Sequence, residues 1–544
     1  MGDQGTRAGT AAAVAGSSTV LLTLASAQFL MTLDSSVMNV SIATVAEDVG
    51  TDVTGVQTAI TLYTLVMASL MITGGRIGQK IGRKRAFVLG CLVYGVGSAT
   101  TALAPNLFVL LIGWSILEGV GAALIMPAVV ALVASNFGAA ERPRAYGLVA
   151  AAGAIAVAAG PLIGGLLTTY ASWRWVFVGE VVIVLGILLL TGRMAENPAE
   201  PGRLDLVGTV LSATGLALVV LGILRSGSWG LILAKPEAPT WIGLSPVIWL
   251  VLGGGLVLGG FLSWERRRIA GGLPVLLDPD LLGIPRLRGG LTSFFFQYLL
   301  QAGLFFCVPL FLSVALGLSA VETGVRIMPL SLTLLLGAVG IPRFFPDASP
   351  RRVVRLGFAA LLAGIVVLMG ALEFGAGPEV VTGPLLLAGL GIGALASQLG
   401  AVTVSAVPDE QSGEVGGLQN TLTNLGASIG TALAGAVLVG ALTSSFLTGI
   451  QENDAVPADL ASQAEVDLAG GISFIPDDAL AGALDDAGVT GSTADAIIDE
   501  NAASRLDGLR NALGVLALLA LLALFSTGRL PTRQPGSPAL RDVP

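Results

Sequence analysis

The chain has 544 residues, of which 54% are hydrophobic and only 12% charged, with a formal net charge of −8 and no His. A soluble protein of this length would divide into several domains with roughly a quarter of its residues charged. The composition excludes that class, and the apolar residues fall in runs of about 18 to 28, enough to cross a bilayer core as helix. Runs of that length, in place of alternating stretches of about ten, also exclude a transmembrane barrel.

In chain order the runs predict fourteen spans: 18–43, 56–75, 86–105, 107–133, 145–168, 174–191, 205–224, 246–263, 289–315, 321–342, 354–373, 379–406, 414–446 and 509–528. The first is too long, too weakly basic upstream and too polar inside for a cleaved signal peptide. With the N-terminus in the cytoplasm, the even-numbered connections and both tails hold most of the 28 Lys and Arg. The opposite face receives acidic loops such as AEDVGTD at 46–52. That asymmetry places both termini inside.

Between spans two and three the stretch TGGRIGQKIGRKRAFVLG packs Arg76, Lys80, Arg83, Lys84 and Arg85 into a short loop. Its end, GRKRAFVLG at 82–90, has an echo in SPRRVVRLG at 349–357, between spans ten and eleven. With spans seven and eight set aside as an inserted pair, each copy lies between the second and third helices of a six-helix set. Such a duplication about the membrane normal is the trace of a two-lobed rocking transporter. Gly153, Ala156, Gly160 and Gly164 give span five one small-residue face for close helix approach. Pro161 can kink that helix.

These motifs carry a resemblance. GGRIGQKIGRKR resembles the loop signature of the major facilitator superfamily, and LDSSVMNVSIA at 33–43 resembles the first-helix motif of its fourteen-helix drug:proton antiporters, the EmrB/QacA type. GPLIGG at 160–165 is similar to the fifth-helix antiporter motif. WRWVF at 173–177, RLDLVG at 203–208, TGVRIMPLS at 323–331 and DEQSGEVGGLQNTLTNLG at 409–426 match in order and spacing. The resemblance implies an all-α integral membrane protein with two six-helix lobes, two linker helices and alternating access. On that plan residues 1–17 and 529–544 are cytoplasmic tails and 18–191 the N-terminal lobe. Residues 192–288 hold the linker helices and a cytoplasmic loop, and 289–528 the C-terminal lobe with an extracytoplasmic acidic insert at 447–508. The conformational motif then falls on Gly75, Gly78, Gln79, Gly82, Arg83 and Lys84, and on Gly160, Pro161, Gly164 and Gly165. Arg83 and Lys84 are expected to help hold the outward-facing state.

The chain also departs from the pattern. Gln79 stands where the loop signature usually has Asp, and Ser115 and Glu118 replace the Arg and Gln of the fourth-helix motif. In the family that Arg is linked to proton handling, so its coupling scheme does not carry over unchanged.

Ionisable residues inside spans are costly and serve as functional candidates by default. Asp34 and Glu118 are the candidates for proton coupling, expected to share the central cavity, since spans one and four line it in the resembled fold. Desolvation favours the protonated form of such a carboxylate, and without His a carboxylate is the natural proton carrier. Glu180, Arg326, Asn39 and Gln297 are candidates for substrate or gating contacts. Glu180 lies near the outer end of span six, where snorkelling could bring it to the interface. Gln28, Gln297, Gln301, Gln398, Gln419, Asn420 and Asn424 offer a polar path or interhelical hydrogen bonds.

The insert is rich in Asp, Glu, Ala and Gly and reads as short amphipathic helices over the outer mouth. Cys91 and Cys307 read as free packing residues. No metal-ligand cluster, nucleophile constellation or phosphate-cradling loop points to an enzyme, and nothing points to nucleic acid. The expected activity is proton-coupled export of hydrophobic or cationic small molecules, a multidrug efflux, at the bacterial cytoplasmic membrane. No cofactor beyond the proton gradient is expected, and the partners are substrate, protons and lipid, with the chain acting as a monomer. The alternative is a dedicated exporter of one metabolite or lipid, or an uptake porter or facilitator.

Overall fold

The computed structural model describes residues 3–534 except 52, 139–140, 197–198, 200–203, 236–237, 374, 409–410, 468–473 and 475–476. Fourteen helices are long and apolar enough to cross a membrane, in the order and close to the positions expected. They are α1 (Asp3–Asp48), α2 (Val53–Ile81), α3 (Arg83–Ala102), α4 (Leu107–Asn136), α5 (Arg142–Tyr170), α6 (Arg174–Leu190) and α7 (Leu206–Trp229). Next come α8 (Pro246–Ala270), α9 (Pro285–Ala315), α10 (Ala320–Phe344), α11 (Pro350–Ala371), α12 (Thr382–Val404), α13 (Ser412–Glu452) and α14 (Ser492–Ser526).

Local sequence sets the helix ends. Asn106 caps α4 by accepting from the Val109 amide, and Ser319 with Glu322 closes a capping box on α10. Pro246, Pro285 and Pro350 open their helices where the missing N–H costs nothing. The link from α2 to α3 is the single residue Gly82, with φ at 98°. A side chain there would be strained, which gives this glycine of the loop signature a backbone reason.

Helices α1–α6 pack into one lobe and α9–α14 into another, while α7 and α8 pair with each other. Helix α7 also lies against α2 and α13, so the inserted pair borders the seam between the lobes. The lobes meet through α2 with α13, α4 with α13, and α5 with α10 and α12. Several close approaches across the seam lie at the end that carries the 76–85 cations. There Gly75 abuts the Gly413 carbonyl, Gly417 abuts Met71, Gly416 abuts Pro127, and Tyr146 packs on Gly400. One apolar cluster joins Val129, Leu132 and Val133 of α4 to Ala401, Val404 and Leu418 across the seam.

The insert differs from its expected form. Helix α13 runs on to Glu452 and α14 begins at Ser492, so much of it continues the membrane helices. Two short helices, Ala458–Asp467 and Asp477–Asp486, lie between them. Phe446, Ile450, Val456, Ala461 and Ile497 form a small core of their own, which seats this cap on its own helix ends. Cys91 and Cys307 are buried and free.

Candidate functional site: a buried carboxylate triad

Asp34 of α1, Glu118 of α4 and Glu180 of α6 meet inside the N-terminal lobe, with carboxylate oxygens within 4.8 Å of one another. Asp34 and Glu118 are 0% exposed and Glu180 1%. The sequence placed the first two in the central cavity; the structure encloses them within the lobe, against α2 and α3. The cause is local. Residues Leu111–Glu118 form π-helical turns within α4. One added residue per turn rotates the remainder of the helix by about 100° about its axis, and such bulges concentrate at functional sites. Regular helical periodicity cannot show this turn.

Close packing of α3 on α4 admits the Glu118 side chain. A Cβ on Gly97 would lie 2.6 Å from Glu118 Cγ and 2.8 Å from the Gly113 carbonyl. Ser115, which stands where the resembled motif has Arg, is also buried, and its hydroxyl donates to the Ala59 carbonyl of α2 at 2.8 Å. The position is thus part of the helix packing and brings no charge to the acids.

Hydrogen bonds orient all three acids. Trp114 Nε1 donates to both oxygens of Asp34, at 2.9 and 3.1 Å. Its ring stacks on Tyr63 with centroids 5.5 Å apart. Glu180 Oε2 accepts from Ser98 at 3.0 Å and from Tyr94 at 3.3 Å. These hydroxyls hold Glu180 inward, so it does not snorkel to the interface. Thr101 Oγ1 lies 3.2 Å from Glu118 Oε1. Glu118 Oε2, Glu180 Oε1 and the Tyr63 hydroxyl have no hydrogen-bond partner.

Among the described residues, no Lys or Arg pairs with any of the three acids. Two ionised carboxylates at this separation repel by about 3 kcal/mol or more at an effective dielectric near 20. Each unpaired buried charge costs several kcal/mol besides. The arrangement therefore suits groups that take up protons, or oxygens that surround a small cation.

A second polar cluster lies at the lobe seam. Arg76 pairs with Glu414 of α13 at 3.1 Å and also donates to Gln79, which occupies the usual Asp position. Glu414 Oε2 accepts from the Asp278 amide, in the segment after the inserted pair. Arg83 and Lys84, the cations singled out from the sequence, donate to the Ala131 carbonyl of their own lobe and to the Met194 carbonyl just beyond α6. Among the described residues, the ion pair that crosses the lobes is Arg76–Glu414. Sequence reading gave no separate role to Arg76 or Glu414, although an acid at the start of span thirteen was a usable signal. It also passed over Tyr63, Tyr94, Ser98, Thr101 and Trp114, because hydroxyls and indoles inside spans do not stand out singly.

The remaining candidates scatter. Gln297, buried on α9, and Arg326, half-buried on α10, belong to the other lobe and are not brought to the triad. The side chains of Asn39 and Pro161 lie outside the described residues. Gly78 packs beside Ala86, and Gly164 meets Val37 of α1. A Cβ on Gly160 would lie 2.1 Å from Ser36 Oγ, so the small-residue face of α5 serves contact with α1, with Gly165 half-buried beside it.

Two six-helix lobes, an inserted helix pair and a polar centre buried inside one lobe define a secondary transporter of the two-lobed rocking class. Residues 24–431 match the Major Facilitator Superfamily. The chain is 33% identical over 451 residues to the puromycin resistance protein pur8 of Streptomyces alboniger, covering 81% of this chain and 85% of that one. It is 26% identical over 514 residues to the multidrug efflux pump LfrA of Mycolicibacterium smegmatis, covering 93% and 95%. Its fold is similar to the crystal structure of the human organic anion transporter MFSD10 (TETRAN), with a TM-score of 0.57 at 14% identity over 94% of this chain and 98% of that one. The chain belongs to the Major Facilitator Superfamily, in the fourteen-helix branch of the EmrB/QacA type. It is a multi-pass transporter of the bacterial cytoplasmic membrane, of the export class, and not an enzyme.

Proposed function

We propose that the protein exports hydrophobic or cationic small molecules in exchange for protons, by alternating access. The observation that carries this reading is the meeting of Asp34 and Glu118, fully buried and with no Lys or Arg among the described residues paired to them. A cluster of acids that must shed charge by taking up protons when enclosed, and can ionise further when water or a cation reaches it, ties proton binding to conformation. The basic end faces the cytoplasm, following the distribution of Lys and Arg. With that end closed by Arg76 and Glu414, the described arrangement belongs to the outward-facing half of the cycle.

Reconstituted vesicles test the proposal. Glu118→Gln mimics the protonated acid permanently, so substrate exchange should persist while accumulation driven by a pH gradient falls. Asp34→Asn should do the same or weaken binding of cationic substrates. If both variants accumulate substrate at the wild-type level, proton exchange through these acids is wrong.

A narrower reading, export of one compound, draws on the relative named for puromycin resistance and on the 28% identical tetracenomycin C resistance and export protein of Streptomyces glaucescens. Counterflow with a panel including puromycin and ethidium separates the two, since a dedicated exporter exchanges one chemical type only.

A further inference from the structure

Glu180 has no task in a scheme that uses Asp34 and Glu118 alone, yet it is as deeply enclosed as either. We infer that the enclosed triad stores two protons, one on Glu118 and one on Glu180, while Asp34 carries the charge, which makes Glu180 a further coupling residue. This rests on the proton-exchange reading above and extends it to the number of protons moved.

The hydrogen-bond inventory assigns the protons. An indole N–H only donates, and Trp114 presents its N–H to both Asp34 oxygens, so Asp34 is served as a bare acceptor. Thr101 has a single hydroxyl hydrogen, and its Oγ1 lies 2.9 Å from the Gly97 carbonyl and 3.2 Å from Glu118 Oε1. Both partners accept this one hydrogen, so Thr101 satisfies Glu118 only in part, and Glu118 Oε2 has no partner at all. A proton on Glu118 removes the charge that this shared hydrogen does not balance.

Glu180 differs in that its Oε2 already has two hydroxyls in reach, from Ser98 and Tyr94. The Ser98 hydrogen is also shared with the Tyr94 carbonyl, at 3.2 Å. Its Oε1 is buried with no partner, and the carboxyl as a whole brings an oxygen within 4.8 Å of one from Asp34 and one from Glu118. A proton on Oε1 removes a negative charge from the cluster and sits on the oxygen that no hydroxyl reaches. The Tyr63 hydroxyl, likewise buried and unpartnered, stands beside Asp34 as a further donor.

The titratable groups facing this point are Asp34 from α1, Tyr63 from α2, Tyr94 from α3, Glu118 from α4 and Glu180 from α6. No Lys or Arg among the described residues pairs with the acids, so protons are what can balance them. Only protons move in the step: both leave toward the basic end when that end opens, and two return from the other side for each substrate exported.

The test uses the full-length protein in vesicles clamped at zero membrane potential, with ethidium as the probe. At balance each coupled proton contributes about tenfold accumulation per pH unit of gradient. Wild type should therefore reach about 100-fold per unit, and Glu180→Gln about tenfold, with Glu180→Asp restoring the wild-type slope. A wild-type slope of one proton, or a Glu180→Gln slope equal to wild type, overturns the inference and leaves the coupling reading standing. Accumulation independent of any pH gradient sinks the coupling reading itself, and accumulation driven by a sodium gradient assigns the triad to that cation instead. Infrared difference spectra of the purified protein give a readout free of substrate. The carbonyl bands of protonated carboxyls should lose one component in Glu180→Gln and another in Glu118→Gln. Unchanged bands in a folded Glu180→Gln protein overturn the assignment.

Discussion

In the N-terminal lobe, π-helical turns at Leu111–Glu118 end on a carboxylate that meets two others; in the C-terminal lobe, those at Phe311–Ala315 end among leucines. Both lobes have six membrane helices and a buried cysteine on one of them. Yet the C-terminal core brings together Phe311, Phe358, Leu361, Leu395, Leu513 and Leu516, and no buried Asp or Glu among the described residues lies with them. Its buried ionisable groups among the described residues are Glu414, at the basic end, and Arg505, which pairs with Asp477 in the cap. The same backbone device thus serves two ends. One lobe spends stability to keep ionisable groups in a dry interior, and the other offers an apolar body against which it can move.

The largest expected effect tests the acidic side of this contrast. Glu118→Gln and Asp34→Asn should each lower gradient-driven accumulation by about tenfold or more per pH unit, at unchanged protein levels. Gln297→Leu, which removes a buried amide from the other lobe, should leave the proton dependence as in wild type. A pH dependence lost in Gln297→Leu and retained in Glu118→Gln would reverse the roles assigned to the lobes.

Next come the packing positions that frame the triad. Gly160→Leu should abolish transport, because even a Cβ would meet Ser36 Oγ at 2.1 Å. Overpacking of this kind typically costs about 1–3 kcal/mol, which a folded protein can survive. The check is monodisperse, folded protein without ethidium exchange. Wild-type turnover would show that the face of α5 toward α1 tolerates bulk during the cycle.

Legibility in the sequence depended on the range over which each feature is determined. Span number, lobe plan and the α2–α3 signature were legible because bilayer thickness and positive-inside bias act on the chain locally. Asp34 and Glu118 were legible as charges inside spans. Their enclosure was not, because it depends on π-helical turns that shift the register of α4, and on the absence of side chains at Gly97 and Gly113. Glu180 looked peripheral from its distance to the helix end; only the pairing of α6 with Ser98 and Tyr94 of α3 turns it inward. The seam shows the same limit. Five cations in ten positions were plain, but which one crosses to Glu414 depended on how the lobes dock.

A third prediction concerns that seam, where both lobes contribute equally. Arg76 and Glu414 are largely buried, and removing one partner of such a pair costs the state that holds it about 3–5 kcal/mol. Arg76→Ala should therefore shift the two access states by more than about tenfold, read as faster maleimide labelling of a single cysteine placed at Val130. The exchanged pair, Arg76→Glu with Glu414→Arg, should recover part of the closure. Neutralising Arg83 and Lys84 together should lower transport less, with topology intact, since Arg76 already supplies an ion pair across the seam to Glu414. An inverted topology in that double variant would mean that these cations serve orientation alone.

The smallest effect belongs to the apolar lobe. Cys307 is buried among Val308, Phe311, Leu368 and Leu513, beside the π-helical turns of α9. Cys307→Ala removes one sulfur from this packing and should cost about 1 kcal/mol, seen as a slightly lower unfolding temperature. Accumulation per pH unit should stay at the wild-type slope, because no proton-binding group lies in that core. Cys91→Ala, on α3 of the other lobe, removes the same atom from a helix whose Tyr94, Ser98 and Thr101 orient the acids. The two alanine variants should therefore match in stability loss and part in coupling, the change in slope appearing only with Cys91. Equal slopes in both would show that the triad is insensitive to α3 packing, and a changed slope in Cys307→Ala would show that the C-terminal core takes part in coupling.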